Sequence, residues 1–148
     1  MMKLTEISSF QVAGLSVRTT NAQEMQAETA KIGALWGDFY EQLIPSLPTN
    51  AINYGVYSDY ESDYTGEFKV LAGSDALASK AELDHCQIQA GTYLVFSQQG
   101  DMPQAVINAW GAIWAYFSNP NCPHQRAYRT DFEKYLGCDQ VEVYIGVV

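Results

Sequence analysis

The stretch Gly91-Thr92-Tyr93-Leu94-Val95-Phe96-Ser97, followed by Gly100-Asp101-Met102-Pro103 and then by Val106, Ile107, Trp110, Ile113, Trp114 and Phe117, decides the fold class. Its first part is dense in β-formers and predicts a strand over 88–97. Gly-Asp-x-Pro is a helix-start signal, with Asp101 as the cap and Pro103 in the first turn. The apolar residues that follow recur at intervals of three and four, the period of a single helix face. This helix stops near Asn119-Pro120. Extended segments around 126–135 and 140–148 complete the order strand, helix, strand, strand.

Read outward toward the N-terminus, the same order returns. Ile7, Phe10, Val12, Leu15 and Val17 predict a first strand, with Gly14 marking a bulge. Asn21-Ala-Gln-Glu24 has the form of a capping box, and Met25, Ile32, Leu35, Trp36, Phe39 and Leu43 continue it as one helix ending before Pro45. Segments 52–58 and 67–71 read as a hairpin across the polar turn from Asp59 to Gly66. The small and polar run 74–84 is the connection between the halves. The prediction is therefore an α+β fold, a pseudo-twofold repeat of two β-α-β-β units over about 4–73 and about 86–148. One antiparallel sheet would carry two helices on one face and a ligand groove on the other. The halves share pattern, not visible identity.

At 148 residues the chain is a single domain, long enough to bury roughly two thirds of its unfolded surface without a disulfide or structural metal. Its 17 acidic residues against 8 basic ones, scattered from Lys3 to Lys134, argue against phosphate-backbone binding, so no nucleic-acid partner is expected. No apolar run approaches the roughly 20 residues that span a bilayer. The opening Met1-Met2-Lys3-Leu4 lacks a signal peptide's apolar stretch, which points to the cytoplasm and to no membrane partner. Cys86, Cys122 and Cys138 make an odd set at no metal-like spacing, as expected of reduced thiols. The 10 tyrosines outnumber all lysines and arginines, an excess that asks for a use.

Alternation supplies one. In Val141-Glu142-Val143-Tyr144-Ile145 the valines and isoleucine share one face, Glu142 and Tyr144 the other. If the apolar face packs on the helices, Glu142 faces the groove. The same phase puts Leu94 and Phe96 on the helix side and Tyr93 in the groove, and places Tyr57 there from Tyr54-Gly55-Val56-Tyr57. A carboxylate among tyrosines takes up a proton or waits for a cation. Each aromatic face adds about 0.5–2 kcal/mol of attraction for that cation. The competing reading makes Glu142 and Tyr144 the solvated face of an edge strand. Trp36 and Trp114, at comparable positions in the two helices, are the candidate walls, and Trp110 is assigned to the core.

Other constellations carry less. Cys122-Pro123-His124 lacks a second ligand pair, so no metal is predicted. No nucleophile elbow, P-loop or dinucleotide fingerprint is present, so no catalytic residue and no cofactor is assigned. Asp59, Glu61 and Asp63 lack the spacing of a calcium loop and read as solvated turn.

Several segments resemble the GyrI-like small-molecule-binding domains, which also serve as effector-binding domains of AraC/XylS-type and multidrug-sensing regulators. Tyr54-Gly-Val-Tyr57 with its acidic turn looks like the family's second strand. Gly91-x-Tyr93-x-x-Phe96-x-x-x-Gly100 is similar to its central strand, and Trp110-Gly-Ala-Ile-Trp114 to its helix motif. Asp131-Phe-Glu-x-Tyr135 followed by Val141-Glu142-Val-Tyr144-Ile145 resembles its closing strand pair. Gly146 departs from the proline usual there, and no DNA-binding domain accompanies the match.

The resemblance implies a pseudo-twofold fold enclosing a groove, with the acidic residue of the last strand, matched by Glu142, meeting cationic ligands. The expectation is a stand-alone binding protein for amphipathic, cationic small molecules. Glu142, Tyr57, Tyr93, Tyr144, Trp36 and Trp114 are its site residues, and any regulatory role calls for either a separate regulatory protein or a different mode of action. Two alternatives stay open. One is a hydrolase of strained electrophiles using the pocket Glu and Tyr. The other is a gyrase-inhibitor-type interaction module.

Overall fold

The computed structural model describes residues 2–148. In chain order the elements are β1 (Met2–Ile7), β2 (Phe10–Thr19), α1 (Asn21–Glu24), α2 (Ile32–Gln42), β3 (Asn53–Ser58), β4 (Phe68–Ser74), β5 (Asp84–Ile88), β6 (Gly91–Gln99), α3 (Gln104–Ser118), β7 (Arg126–Tyr135) and β8 (Gln140–Val147). The strands form one sheet in the order β1-β6-β8-β7-β3-β4-β2-β5, with every pairing antiparallel. The order is symmetric about the central β7–β3 pair. The unit β2-α2-β3-β4 lies on one side and β6-α3-β7-β8 on the other, as the repeat predicts.

The outer strands were hidden by the pattern. The chain breaks at Ser8-Ser9 and at Gln89-Ala90, so each single strand expected at these places is two. Strand β1 precedes the first unit yet pairs with β6 of the second, while β5 precedes the second and pairs with β2 of the first. A two-residue interruption barely disturbs an alternating pattern, which is why the exchange escapes it. Gly14 also differs from expectation. It stands in unbroken register opposite Gly73, and a Cβ on it would lie 2.0 Å from the Ala72 carbonyl oxygen. Close backbone approach, not a bulge, requires glycine here.

The first helix is divided as well. Thr20, not Asn21, caps α1, its Oγ1 accepting from Gln23 N at 3.0 Å. The Glu24 carboxylate then accepts from Lys31 N and Ile32 N at 2.8 and 3.1 Å. The predicted capping glutamate thus serves the start of the next helix, where backbone N–H groups otherwise lack acceptors.

Helix α3 packs on β6 and β8, burying Ala105, Ala109 and Ile113 against Leu94, Phe96, Val141, Val143 and Ile145. Helix α2 packs on β2 and β4, burying Leu35 and Phe39 against Ala13, Val70 and Ala72. The helix-facing phase read for 91–96 and 141–145 is thus the observed one. The opposite face is not a groove. It carries a third core of Val12, Tyr54, Val56, Leu71, Ile88, Tyr93, Val95, Phe132 and Tyr144, in which Phe132 and Tyr144 stack at 4.4 Å. What stays uncovered is the central β3–β7 pair, on the helix face between α2 and α3.

Candidate ligand cavity between the helices

A cavity of about 1180 Å³ occupies that gap. One wall comes from α2, with Ile32, Trp36 and Tyr40, and the other from α3, with Val106, Ile107, Trp110 and Trp114. Ile32, Trp36 and Tyr40 recur every four residues, as do Val106, Trp110 and Trp114 with Ile107 beside them, so one stripe of each helix faces the opening. Tyr57 of β3 and Glu133 and Tyr135 of β7 supply the sheet side. Apolar and aromatic linings with few convergent polar groups are the usual character of small-molecule sites.

Glu133 is the polar centre, with 3% of its surface exposed. Its Oε2 accepts from Trp110 Nε1 at 2.7 Å and from Tyr57 Oη at 2.9 Å, and its Oε1 accepts from Tyr135 Oη at 2.8 Å. Gly55 lies directly across the ladder from Glu133, and a Cβ there would come within 2.6 Å of Glu133 Oε1. The missing side chain is what makes room for the carboxylate. All three donors are neutral. Among the described residues the salt bridges are Arg18–Glu67 and Arg126–Asp131, and neither reaches Glu133.

Burial raises the Glu133 pKa above its ordinary 4.5, against the opposing pull of the three hydrogen bonds. Burial and the nearby carboxylate push the Tyr57 phenol well above its ordinary range, and do the same to Tyr135. The phenols therefore stay protonated and act as donors. Around them the rings interlock, Tyr57 with Trp110 at 5.1 Å and Trp36 with Tyr135 at 5.4 Å.

Of the residues singled out from sequence, Trp36, Tyr57 and Trp114 line this cavity, and Glu142, Tyr93 and Tyr144 do not. Tyr93 is buried on the far face, its hydroxyl bonded to Gln89 O and to Thr130 Oγ1. Tyr144 lies in the same far core and donates to Glu142 Oε1 at 2.7 Å. Their position on the far side has one cause. The valines of β8 do pack on α3, but the cavity is on the helix side too, so a carboxylate out of phase with them points away from it. Glu133, Tyr135 and Tyr40 line the cavity without having been singled out as site residues, and Trp110 both packs against the α3 core, as expected, and lines the cavity. Glu133 and Tyr135 stood in the quoted run Asp131-Phe-Glu-x-Tyr135, and Trp110, assigned to the core, spends its N–H on Glu133.

Among the described residues no group of three or more His, Cys, Asp or Glu could hold a metal ion, and no helix is long and apolar enough to cross a membrane.

The family model described as "integron-associated effector binding protein", Cass2, matches residues 3–147. The chain belongs to the Cass2 family. The Cass2 integron cassette protein from the mobile metagenome of Vibrio cholerae, known from a crystal structure, is 46% identical with a TM-score of 0.93, covering 99% of this chain and 95% of that one. YobU of Bacillus subtilis (strain 168), described as a candidate transcriptional regulator, is 30% identical over 142 residues, 89% of this chain and 84% of its own length. SAV2435, solved bound to tetraphenylphosphonium, shares the fold with a TM-score of 0.78 at 22% identity, covering 100% of this chain and 94% of that one. The effector-binding resemblance read from the motifs therefore holds for this chain.

Proposed function

We propose that this Cass2 protein binds amphipathic organic cations in the cavity between α2 and α3, with Glu133 as counter-charge and Trp36, Tyr40, Tyr57, Trp110, Trp114 and Tyr135 as walls. One observation carries the reading: a buried carboxylate, held only by neutral donors, lines a large aromatic cavity. An isolated buried charge is costly, and a cation entering the cavity removes that cost while gaining the faces of the rings. The tetraphenylphosphonium bound by SAV2435, a protein of the same fold, supports the same class of ligand. The description of YobU supports a regulatory use.

All three tryptophans line the cavity, so titration with tetraphenylphosphonium should quench intrinsic fluorescence saturably. Glu133→Gln keeps the shape and removes the charge. It should weaken binding at least about 30-fold, as loss of one partner of a buried charge pair does. Equal affinity in the two proteins would overturn the electrostatic part of the reading.

A further inference from the structure

A second, smaller cavity of about 140 Å³ adjoins the first and shares Ile32, Tyr57, Trp110 and Trp114 with it. Its distinctive wall residue is Arg126, which is 8% exposed. The guanidinium is fixed: its carbon lies 4.6 Å from the centre of the Tyr128 ring and 5.8 Å from that of Trp114. Tyr128 adopts φ +53° in the irregular stretch of β7 where the register against β8 shifts, between Arg126 and Asp131.

Arg126 has donors to spare. A guanidinium carries five N–H groups. Among the described residues its hydrogen bonding is Nη2 to Asp131 Oδ2 at 2.8 Å, and Nε is buried with no partner. Asp131 does not call on the rest, because Tyr60 Oη and Gly146 N also donate to it, at 2.5 and 2.8 Å. The other charged residue of the small cavity, Glu24, is committed to Lys31 N, Ile32 N and Thr19 Oγ1. A rigid, buried, under-used cationic fork beside a space of this size suits an oxygen acceptor on a group of a few heavy atoms.

Building on the cation reading above, we propose that the small cavity is an acceptor subsite, in which Arg126 donates to an ester, amide or ether oxygen carried by the same ligand whose cationic body rests against Glu133. The shared lining residues favour one ligand spanning both spaces over a separate small anion. The ligand class narrows to amphipathic cations that also bear an oxygen acceptor.

Two dyes with the same cationic ring system test this, tetramethylrosamine without an ester and tetramethylrhodamine methyl ester with one, each titrated by fluorescence anisotropy. Wild type should bind the ester at least about tenfold tighter, the usual worth of a hydrogen bond to a charged group. Glu133→Gln should weaken both dyes alike and preserve that ratio. Arg126→Lys keeps a charge beside Asp131 but removes the fork, and should reduce the ratio below about threefold with tetramethylrosamine unaffected. Equal binding of the two dyes by wild type overturns the subsite and leaves the cation reading standing, whether or not the lysine variant folds. Equal weakening of both dyes by Arg126→Lys also overturns it, in favour of a purely structural arginine. If wild type binds neither dye, the cation reading fails and the subsite fails with it.

Discussion

Asp131 and Glu133 stand two residues apart on β7, on the same side of the strand, and both are buried. Each accepts three hydrogen bonds. For Asp131 the donors are Arg126, Tyr60 and the Gly146 amide, and for Glu133 they are Trp110, Tyr57 and Tyr135. The number of bonds is the same and the charge is not. Arg126 neutralises Asp131 within the fold, whereas nothing around Glu133 neutralises it. Hydrogen bonds alone do not offset desolvation, which is why the Glu133 pKa rises despite all three of them. The strand thus carries one carboxylate that completes the structure and one that the structure leaves incomplete, next to a cavity.

The largest effect should come from damaging the complete one. Asp131→Asn strands the buried Arg126 guanidinium and should cost about 3–5 kcal/mol of unfolding free energy, read by urea denaturation at pH 7. Glu133→Gln should cost nothing or stabilise, because an uncompensated charge disappears while Tyr57, Trp110 and Tyr135 keep an amide to bond. Comparable losses in the two variants would break the contrast between the sites.

pH should separate them next. The folded state holds the Glu133 proton more tightly than the unfolded chain does, so this group's contribution to stability is fully present below the ordinary carboxylate value of 4.5 and is lost as pH rises through the raised folded value. Cation affinity runs the other way. A bound cation favours the carboxylate, so affinity should climb up to about tenfold per pH unit below the raised value and level off above it. Tetraphenylphosphonium titrations from pH 4 to pH 8 read this directly, and in Glu133→Gln the slope should vanish. A wild-type affinity that did not change with pH would assign the attraction to the rings alone.

Much of this molecule was legible in the chain. The periodicity of Val106 to Phe117 and the alternation in 91–97 and 141–145 gave α3, β6 and β8 with the correct faces toward the helix, because each segment packs on one continuous apolar layer. The exchange of β1 and β5 between units was not legible, since pairing partners across a sheet leave no mark on local pattern. The lining of the candidate cavity was half legible for a related reason. Trp36, Tyr57 and Trp114 follow from phase within their own elements, but which face of the sheet carries the cavity depends on where two helices leave a gap. Tyr54, Tyr93, Phe132 and Tyr144 close the other face with a core of their own, and nothing local announces it. Once the gap is known to lie over β3 and β7, alternation in Asp131-Phe132-Glu133 gives the carboxylate at once, opposite the buried Phe132.

The smallest effect is the most diagnostic of that placement. Glu142 shares charge and strand context with Glu133 and is held by a tyrosine from the same strand, Tyr144, at 2.7 Å. It nevertheless lies on the far side of the sheet from the cavity and is more exposed than Glu133. Glu142→Gln keeps an acceptor for Tyr144 and removes the same unit of charge as Glu133→Gln does. If net acidity drew cations to the protein, the two substitutions would weaken tetraphenylphosphonium binding alike, and salt would abolish the difference from wild type. If the buried position of the charge is what matters, Glu142→Gln should change affinity less than about twofold, because water and ions screen a partly exposed carboxylate across the sheet. A loss from Glu142→Gln as large as that from Glu133→Gln would move the cation back to the last strand.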